Sequence, residues 1–431
     1  MRLDRRFDAG RRRLLAGGAA ALATACGVRG RRPESGVSRE PNVEYTVERP
    51  IPSEIRLGAA FPFSGPHVDV GLALRAGYEL AVNEVNGRGG IWLSEYQRQV
   101  QVRLILYDDQ GHPTRSRQLY ERLVEYDRVD ALLGGFGGAA AARLGLAEER
   151  GVPYVSGLES VPDDFRDRRY GFGFGPLIAE LAATQLAWLS WSQDRDLLRR
   201  PVRIGLLSRP GEAGANYRAS ILDQAGQDPS RFDLILDQRL PSVQPADYRP
   251  LVRDLRGAEP DALLADTTIE AAIVLHRQVA VLRPAPRVIS YGLQGNHAAM
   301  RAQLGPAADG LVTATGWSSA LGSDAAQGFA TRFSGAYGRT AEAEHTFAYG
   351  AAAALVEAIG RAGTLSARGV REALTAGGAP PCLPGGATRV EGTTFTRTRL
   401  LLVQNVPDGR EVVVWPSDLR AGEASGQTAR V

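Results

Sequence analysis

Residues 129–160 read VDALLGGFGGAAAARLGLAEERGVPYVSGLES. The apolar run at 129–133 predicts a buried strand, the glycines at 134–138 a turn, and 139–150 a helix. Residues 152–155 predict a second apolar strand, which ends in the polar loop 156–160. Neither strand alternates polar with apolar, as expected of a parallel sheet covered on both faces. Such a unit sends its loops to the carboxyl edge of the sheet, where helix amides point outward unpaired and hold anions and polar groups. The stretch therefore reads as one wall of a ligand cleft.

At 431 residues, 44% of them hydrophobic, the chain is long enough for two domains. It contains no Lys, so its basic side chains are Arg or His. The formal charge of +3 is misleading, because six Arg and two Asp in the first 25 residues leave the remainder near −1. No basic field for nucleic acid or a membrane surface remains. Cys26 and Cys382 are too few for a disulfide framework.

Residues 1–25 have a basic start and then an apolar run, 14–25, that ends in small residues before Cys26. That suits a secretory signal; a membrane-spanning helix needs about 20 apolar residues. Arg11-Arg12-Arg13-Leu14-Leu15 resembles a twin-arginine export signal, and an ordinary basic leader with one extra Arg reads the same way. Leu22-Ala23-Thr24-Ala25-Cys26 resembles a bacterial lipobox, in which Cys26 is lipidated. The alternative is a core-like Cys closing a signal. Residues 26–53, rich in Arg, Glu, Pro and Ser, predict a solvated, lipid-anchored tether.

Strands are predicted at 55–60 and 100–107. Between them Leu74, Tyr78, Ala81, Val82 and Val85 form one helical stripe. A helix ending near Asp127 carries Leu119, Leu123 and Val124 inward. After residue 175 the alternation restarts, with strands at 202–207, 232–236, 262–265 and 287–291. Helices at 179–191, 217–225, 248–256 and 269–282 alternate with them. Two α/β units follow from this order. Residues 311–317 predict an extended crossing segment, followed by helices at 325–337, 347–362 and 366–376. Strands at 390–395 and 400–415 end the chain, and 419–431 reads as a disordered tail.

Several runs resemble a known family. They are Ile55-Arg56-Leu57-Gly58, Phe63-Ser64-Gly65-Pro66, Asn86-Gly87-Arg88-Gly89-Gly90-Ile91, Tyr107-Asp108-Asp109-Gln110-Gly111 and the glycines 134–138. Gly151-Val152-Pro153, Tyr349, Glu357-Ala358-Ile359 and Val370-Arg371-Glu372-Ala373-Leu374 also match. Together they resemble type I periplasmic substrate-binding proteins, in the leucine/isoleucine/valine-binding branch of ABC importers. The resemblance implies two doubly wound parallel-sheet α/β lobes joined by three crossing strands. Lobe 1 would comprise 54–174 plus 317–390, and lobe 2 would comprise 175–316 plus 391–418, with a third crossing near 390–395. It implies an extracytoplasmic, monomeric lipoprotein that closes on a small polar ligand and presents it to ABC permease subunits. The ligand would be amino-acid-like, an amide or a short organic acid. Neither catalysis nor a cofactor is implied.

Carried over by position, the family's ligand carboxylate would meet the amides of Gly137 and Gly138, where relatives place a serine. Ser160 matches a hydroxyl residue of the next loop, and Val70 stands near an aromatic position. Gln294 stands where a carboxylate pairs with the ligand ammonium, and Thr267 or Thr268 where a tyrosine assists. A neutral Gln cannot replace that charge; Glu159, from the opposite lobe, would replace it or be solvated. The expected ligand set is Phe136, Gly137, Gly138, Glu159, Ser160, Thr267, Thr268 and Gln294, with Phe136 alternatively a core residue.

Two further readings bear on chemistry. Gly135-x-Gly137-x-x-Ala140 with Glu159 imitates a dinucleotide fingerprint, which would suit an exported NAD(P)-dependent oxidoreductase. A ligand sensor or envelope scaffold of the same fold is a third class. The five His residues have no metal-ligand spacing, and Asp108-Asp109 reads either as an acid/base pair or as turn caps.

Overall fold

The computed structural model describes residues 51–65, 67–159, 161, 165–243, 246–292, 294–377, 389–391, 394–396 and 400–419. The expected signal, the tether up to residue 50, Cys26, Ser160, Cys382 and the tail beyond 419 lie outside the described residues.

The chain opens with β1 (Ile55–Phe61), α1 (Val68–Gly87), the hairpin β2 (Ile91–Leu93) and β3 (Arg98–Val100), then β4 (Val102–Asp108) and α2 (Pro113–Glu125). β5 (Ala131–Leu133), α3 (Ala140–Arg150), β6 (Tyr154–Ser156) and β7 (Gly171–Gly173) complete the first unit. The second runs α4 (Ile178–Gln193), β8 (Val202–Ser208), α5 (Glu212–Gln227), β9 (Phe232–Arg239) and α6 (Arg249–Ala258). It continues through β10 (Ala262–Asp266), α7 (Ile269–Val279), β11 (Val288–Ser290), α8 (Ala298–Leu304) and β12 (Val312–Thr315). Then come α9 (Asp324–Tyr337), α10 (Ala343–Ala362), α11 (Ala367–Ala376), β13 (Arg389–Glu391), β14 (Thr394–Thr396), β15 (Leu401–Val406) and β16 (Arg410–Trp415).

Two seven-stranded sheets result. The parallel strands of the first follow the order β4-β1-β5-β6-β7, and those of the second β9-β8-β10-β11-β12. Each lobe is thus doubly wound with its first strand second in the sheet, although no residue-level repeat links them. Both faces are covered. Leu57, Tyr78, Phe347 and Leu355 pack on one side of the first sheet, and Tyr120, Leu123, Leu144 and Tyr154 on the other. Trp188, Tyr217 and Ile221 cover one side of the second sheet, and Leu255, Ala272 and Met300 the other. This double burial is why the strands read as continuous apolar runs.

Two sequence expectations need correction. Residues 312–315, VTAT, do not cross between lobes. They pair in parallel with β11 and antiparallel with β15, so all four are buried inside the second sheet. The passage begins after Thr315. Residues 390–395 are not a crossing strand either. β13 and β14 form a hairpin, and β14 pairs with β7 in the first sheet. The chain therefore reaches the second sheet after Thr396, later than the expected boundary at 391.

Candidate functional site

Winding reverses between β1 and β5 in one sheet and between β8 and β10 in the other. Ligands of open α/β sheets bind outside the carboxyl ends of strands at such points. The loops and helix starts that follow these four strands, with the loop after β11, converge on one crevice. His67, Asp69, Val70 and Phe136 line it from the first lobe, and Arg209, Thr268, Ile269, Glu270 and Gln294 from the second. Its volume is about 290 Å³, counting space open to solvent. The jaws touch through apolar side chains. Val70 packs into the cluster of Leu207, Ala265 and Ile269, while Phe136 and Leu158 pack against the cores of both lobes. The His67 and Phe136 rings meet edge-on at 5.4 Å.

On the first jaw, Gly137 and Gly138 are exposed at the start of α3. Gly137 has φ +86, and a Cβ there would meet nothing within 4 Å, so the loop is open to a guest. Phe136 is half-buried beside it. Glu159, expected to face the ligand, does not. Its carboxylate accepts the Arg143 guanidinium at 2.8 and 2.5 Å and the Tyr154 hydroxyl at 2.7 Å, with only 4% of the residue exposed. Those bonds leave it unable to meet an ammonium or the hydroxyls of a dinucleotide ribose. The neighbouring carboxylates are caps: Asp108 accepts the Phe63 amide and the Ser64 hydroxyl, and Asp109 the Gly111 amide.

On the second jaw, Ser208 Oγ, Asp266 Oδ2, Thr267 Oγ1 and Gln294 Oε1 are buried without a hydrogen-bond partner. Ser208 and Asp266 are register partners at the carboxyl ends of β8 and β10. Thr268 differs, because its hydroxyl accepts the Ala271 amide as the cap of α7 and donates to the Val243 carbonyl. Arg209 lies 3.0 Å from Asp266. Their charges compensate, so Asp266 Oδ2 is paired, although its contact with Arg209 is not a well-aligned hydrogen bond. Burial raises the Asp266 pKa, and Arg209 opposes that rise. Burial lowers the His67 pKa against the opposing pull of Glu270. Of the expected set, the structure brings Phe136, Thr268 and Gln294 to the crevice. Exposed Gly137 and Gly138 and buried Thr267 are outside the crevice lining, and Glu159 is turned to Arg143. The sequence reading missed Ser208, Arg209 and Asp266, although all three stand at the carboxyl ends of strands it had identified.

Among the described residues, one group could offer three metal ligands: His297, Glu342 and Glu344. His297 Nδ1 accepts the Ala299 amide at 3.1 Å, and Nε2 lies 3.3 Å from Glu342. That contact joins the two lobes, and the Ala299 amide already takes the other ring nitrogen. No described helix is long and apolar enough to cross a membrane.

A hinged pair of doubly wound lobes with polar groups at their facing switch points defines the class of two-lobed solute-binding proteins. The chain belongs to the periplasmic binding protein family, whose model matches residues 54–410. That family is extracytoplasmic and serves ABC transporters. The Leu/Ile/Val-binding protein homolog 7 of Brucella abortus is 29% identical over 244 residues, 54% of this chain and 56% of that protein. The Brucella suis homologue matches to the same extent. The chain thus spans about half the length of the curated relatives it matches. Among solved structures, the leucine binding protein LivK of Thermotoga maritima has a TM-score of 0.71 at 17% identity, covering 83% of this chain and 97% of that one. LivJ of Streptococcus pneumoniae, in complex with isoleucine, gives 0.70 at 17% over 83% and 97%. A solute-binding protein from R. palustris, in complex with benzoate, gives 0.70 at 18% over 84% and 95%. These likenesses show the fold.

Proposed function

We propose that this protein captures a small polar solute between its lobes and hands it to an ABC importer, without catalysis and without a cofactor. One observation carries the reading. Three buried oxygens, from Ser208, Thr267 and Gln294, lack partners at the carboxyl edge of the second sheet, beside an Asp266 carboxylate that is paired with Arg209. Buried polar atoms are rarely left unpaired, because each costs about 1–3 kcal/mol. A ligand that offers hydrogen-bond donors, such as an ammonium, amide or hydroxyl, would satisfy them. The exposed amides of Gly137 and Gly138 would take its carboxylate or carbonyl end. Amino acids, amides and hydroxylated short acids combine these features. The two hydroxyls and the Gln oxygen can serve a neutral ligand as well as a zwitterion.

Thermal denaturation of the full chain with L-leucine, L-glutamine, acetamide and benzoate tests this, since binding to the folded state raises Tm. At least one donor-bearing compound is expected to stabilise the protein. Gln294→Ala should keep the unliganded Tm and lose most of that shift. An undiminished shift removes Gln294 from the site, and no shift across a wider panel of such solutes sinks the reading. Anchoring through a lipid on Cys26 is part of the same proposal, supported by residues 22–26 and the family's extracytoplasmic location. Palmitate labelling that disappears in Cys26→Ala is the expected result.

A further inference from the structure

The first jaw rests on a buried charge pair that makes no contact with the crevice. Arg143 is 0% exposed on α3 and spends its donors inward. Nε and Nη2 donate to Glu159 Oε1 at 2.8 and 2.5 Å, Nη1 donates to Ser116 Oγ at 3.0 Å, and Nη2 reaches the Gly137 carbonyl at 3.3 Å. Its guanidinium carbon lies 5.8 Å from the centroid of the Tyr120 ring. Burying an ion pair costs desolvation, and well-packed apolar residues of similar size usually stabilise a fold as well or better. Stability alone therefore does not explain why a charge stands here. What an apolar side chain cannot do is donate to the Gly137 carbonyl.

That bond has a geometric consequence. The peptide joining Gly137 to Gly138 is planar and trans, so its C=O and N–H point in opposite directions. The Gly137 oxygen also accepts the Ala139 amide at 2.8 Å. With the oxygen held inward, the Gly138 N–H is turned outward. At φ +86, and without a side chain to pack, Gly137 has that Ala139 bond and the guanidinium to fix it.

We infer that Arg143 is a positioning residue: its guanidinium, neutralised by Glu159, sets the direction of the Gly138 amide on the ligand-gripping loop. The inference rests on the reading that these amides grip the solute, but its test needs no ligand. In ¹⁵N-glycine-labelled full-length protein, Gly137 and Gly138 are expected to have rigid-backbone order parameters of about 0.85. In Arg143→Lys, which keeps the charge without the five-donor fork, both should fall below about 0.6. In Arg143→Met/Glu159→Leu they should fall equally, while Tm stays near wild type. Rigid glycines in both variants would overturn the inference. So would a double variant that loses as much Tm as Arg143→Met alone, because the pair would then be a purely structural strut. A solute screen without hits leaves this result standing, and mobile-loop variants leave the binding reading intact.

Discussion

His345 is buried at the start of α10, its ring 4.5 Å from that of Phe333. Nδ1 accepts the Glu342 amide at 3.0 Å, which leaves Nε2 buried and without a partner. Burial, assisted by the charge of Arg339, pushes its pKa down to about 3. An unfolded His titrates near pH 6.5. Between these values the unfolded chain binds a proton that the folded ring refuses, so acid favours unfolding. The ring's contribution is complete above pH 6.5 and falls by about 1.4 kcal/mol per unit as the pH drops toward 3. His345→Gln should remove that dependence, because its amide oxygen can still accept the Glu342 N–H. Urea unfolding at pH 7, 6 and 5 is expected to show the wild type losing stability faster than the variant. A constant difference across the three would exonerate His345. The residue scale is also where sequence reading failed. Glu159 looked free because its partner, Arg143, lies on another element and has no motif. Gln294 was named from its position in the family resemblance; the residues at each strand end would have added Arg209 and Asp266.

At the scale of elements, α1 and α10 approach so closely that a Cβ on Gly77 would lie 2.5 Å from the His345 carbonyl oxygen and 2.7 Å from the Tyr349 nitrogen. Backbone cannot yield as a side-chain tip can. Gly77→Ala gains about 1 kcal/mol of helix propensity but overpacks the contact at a cost of about 1–3 kcal/mol or more. A net loss of about 1–2 kcal/mol in urea denaturation is expected. Gly87→Ala, at the end of the same helix with nothing within 4 Å, should be neutral or stabilising. Equal effects at both sites would mean the helices can part freely. Alternating strands and helices were legible because each carries a long apolar signal. The strands of β15–β16 were read at 400–415, but β2–β3 was missed and β13–β14 was read as one strand, because three residues per strand are too few for a periodicity. VTAT was misplaced because small residues suit an extended linker and a crowded sheet interior equally well.

At the scale of the molecule, the two lobes repeat one strand order; in the sequence, residues 129–160 marked one wall of the crevice and the family resemblance implied the facing one. What sets the jaws' preference for closure was not legible, because it joins residues from both lobes. Glu342 begins α10 on the first lobe. Its carboxylate accepts the amide of Ala298 at the start of α8 on the second lobe at 2.5 Å, and lies 3.3 Å from His297 Nε2 and 4.0 Å from Arg301. These bonds join the two lobes beside the passage at 317–319, so they favour this arrangement over one in which the lobes part. Charge-assisted hydrogen bonds contribute about 1.5–3 kcal/mol, which is tenfold or more in an open-to-closed ratio. Glu342→Ser keeps a polar cap on α10 but is too short to reach Ala298. Small-angle scattering of the unliganded variant should shift toward a more open particle. Any stabilising solute should bind it more weakly, because less of the protein is competent to close. Scattering curves and affinities that match the wild type would mean that the apolar contacts of Val70 and Phe136 hold the jaws without this latch.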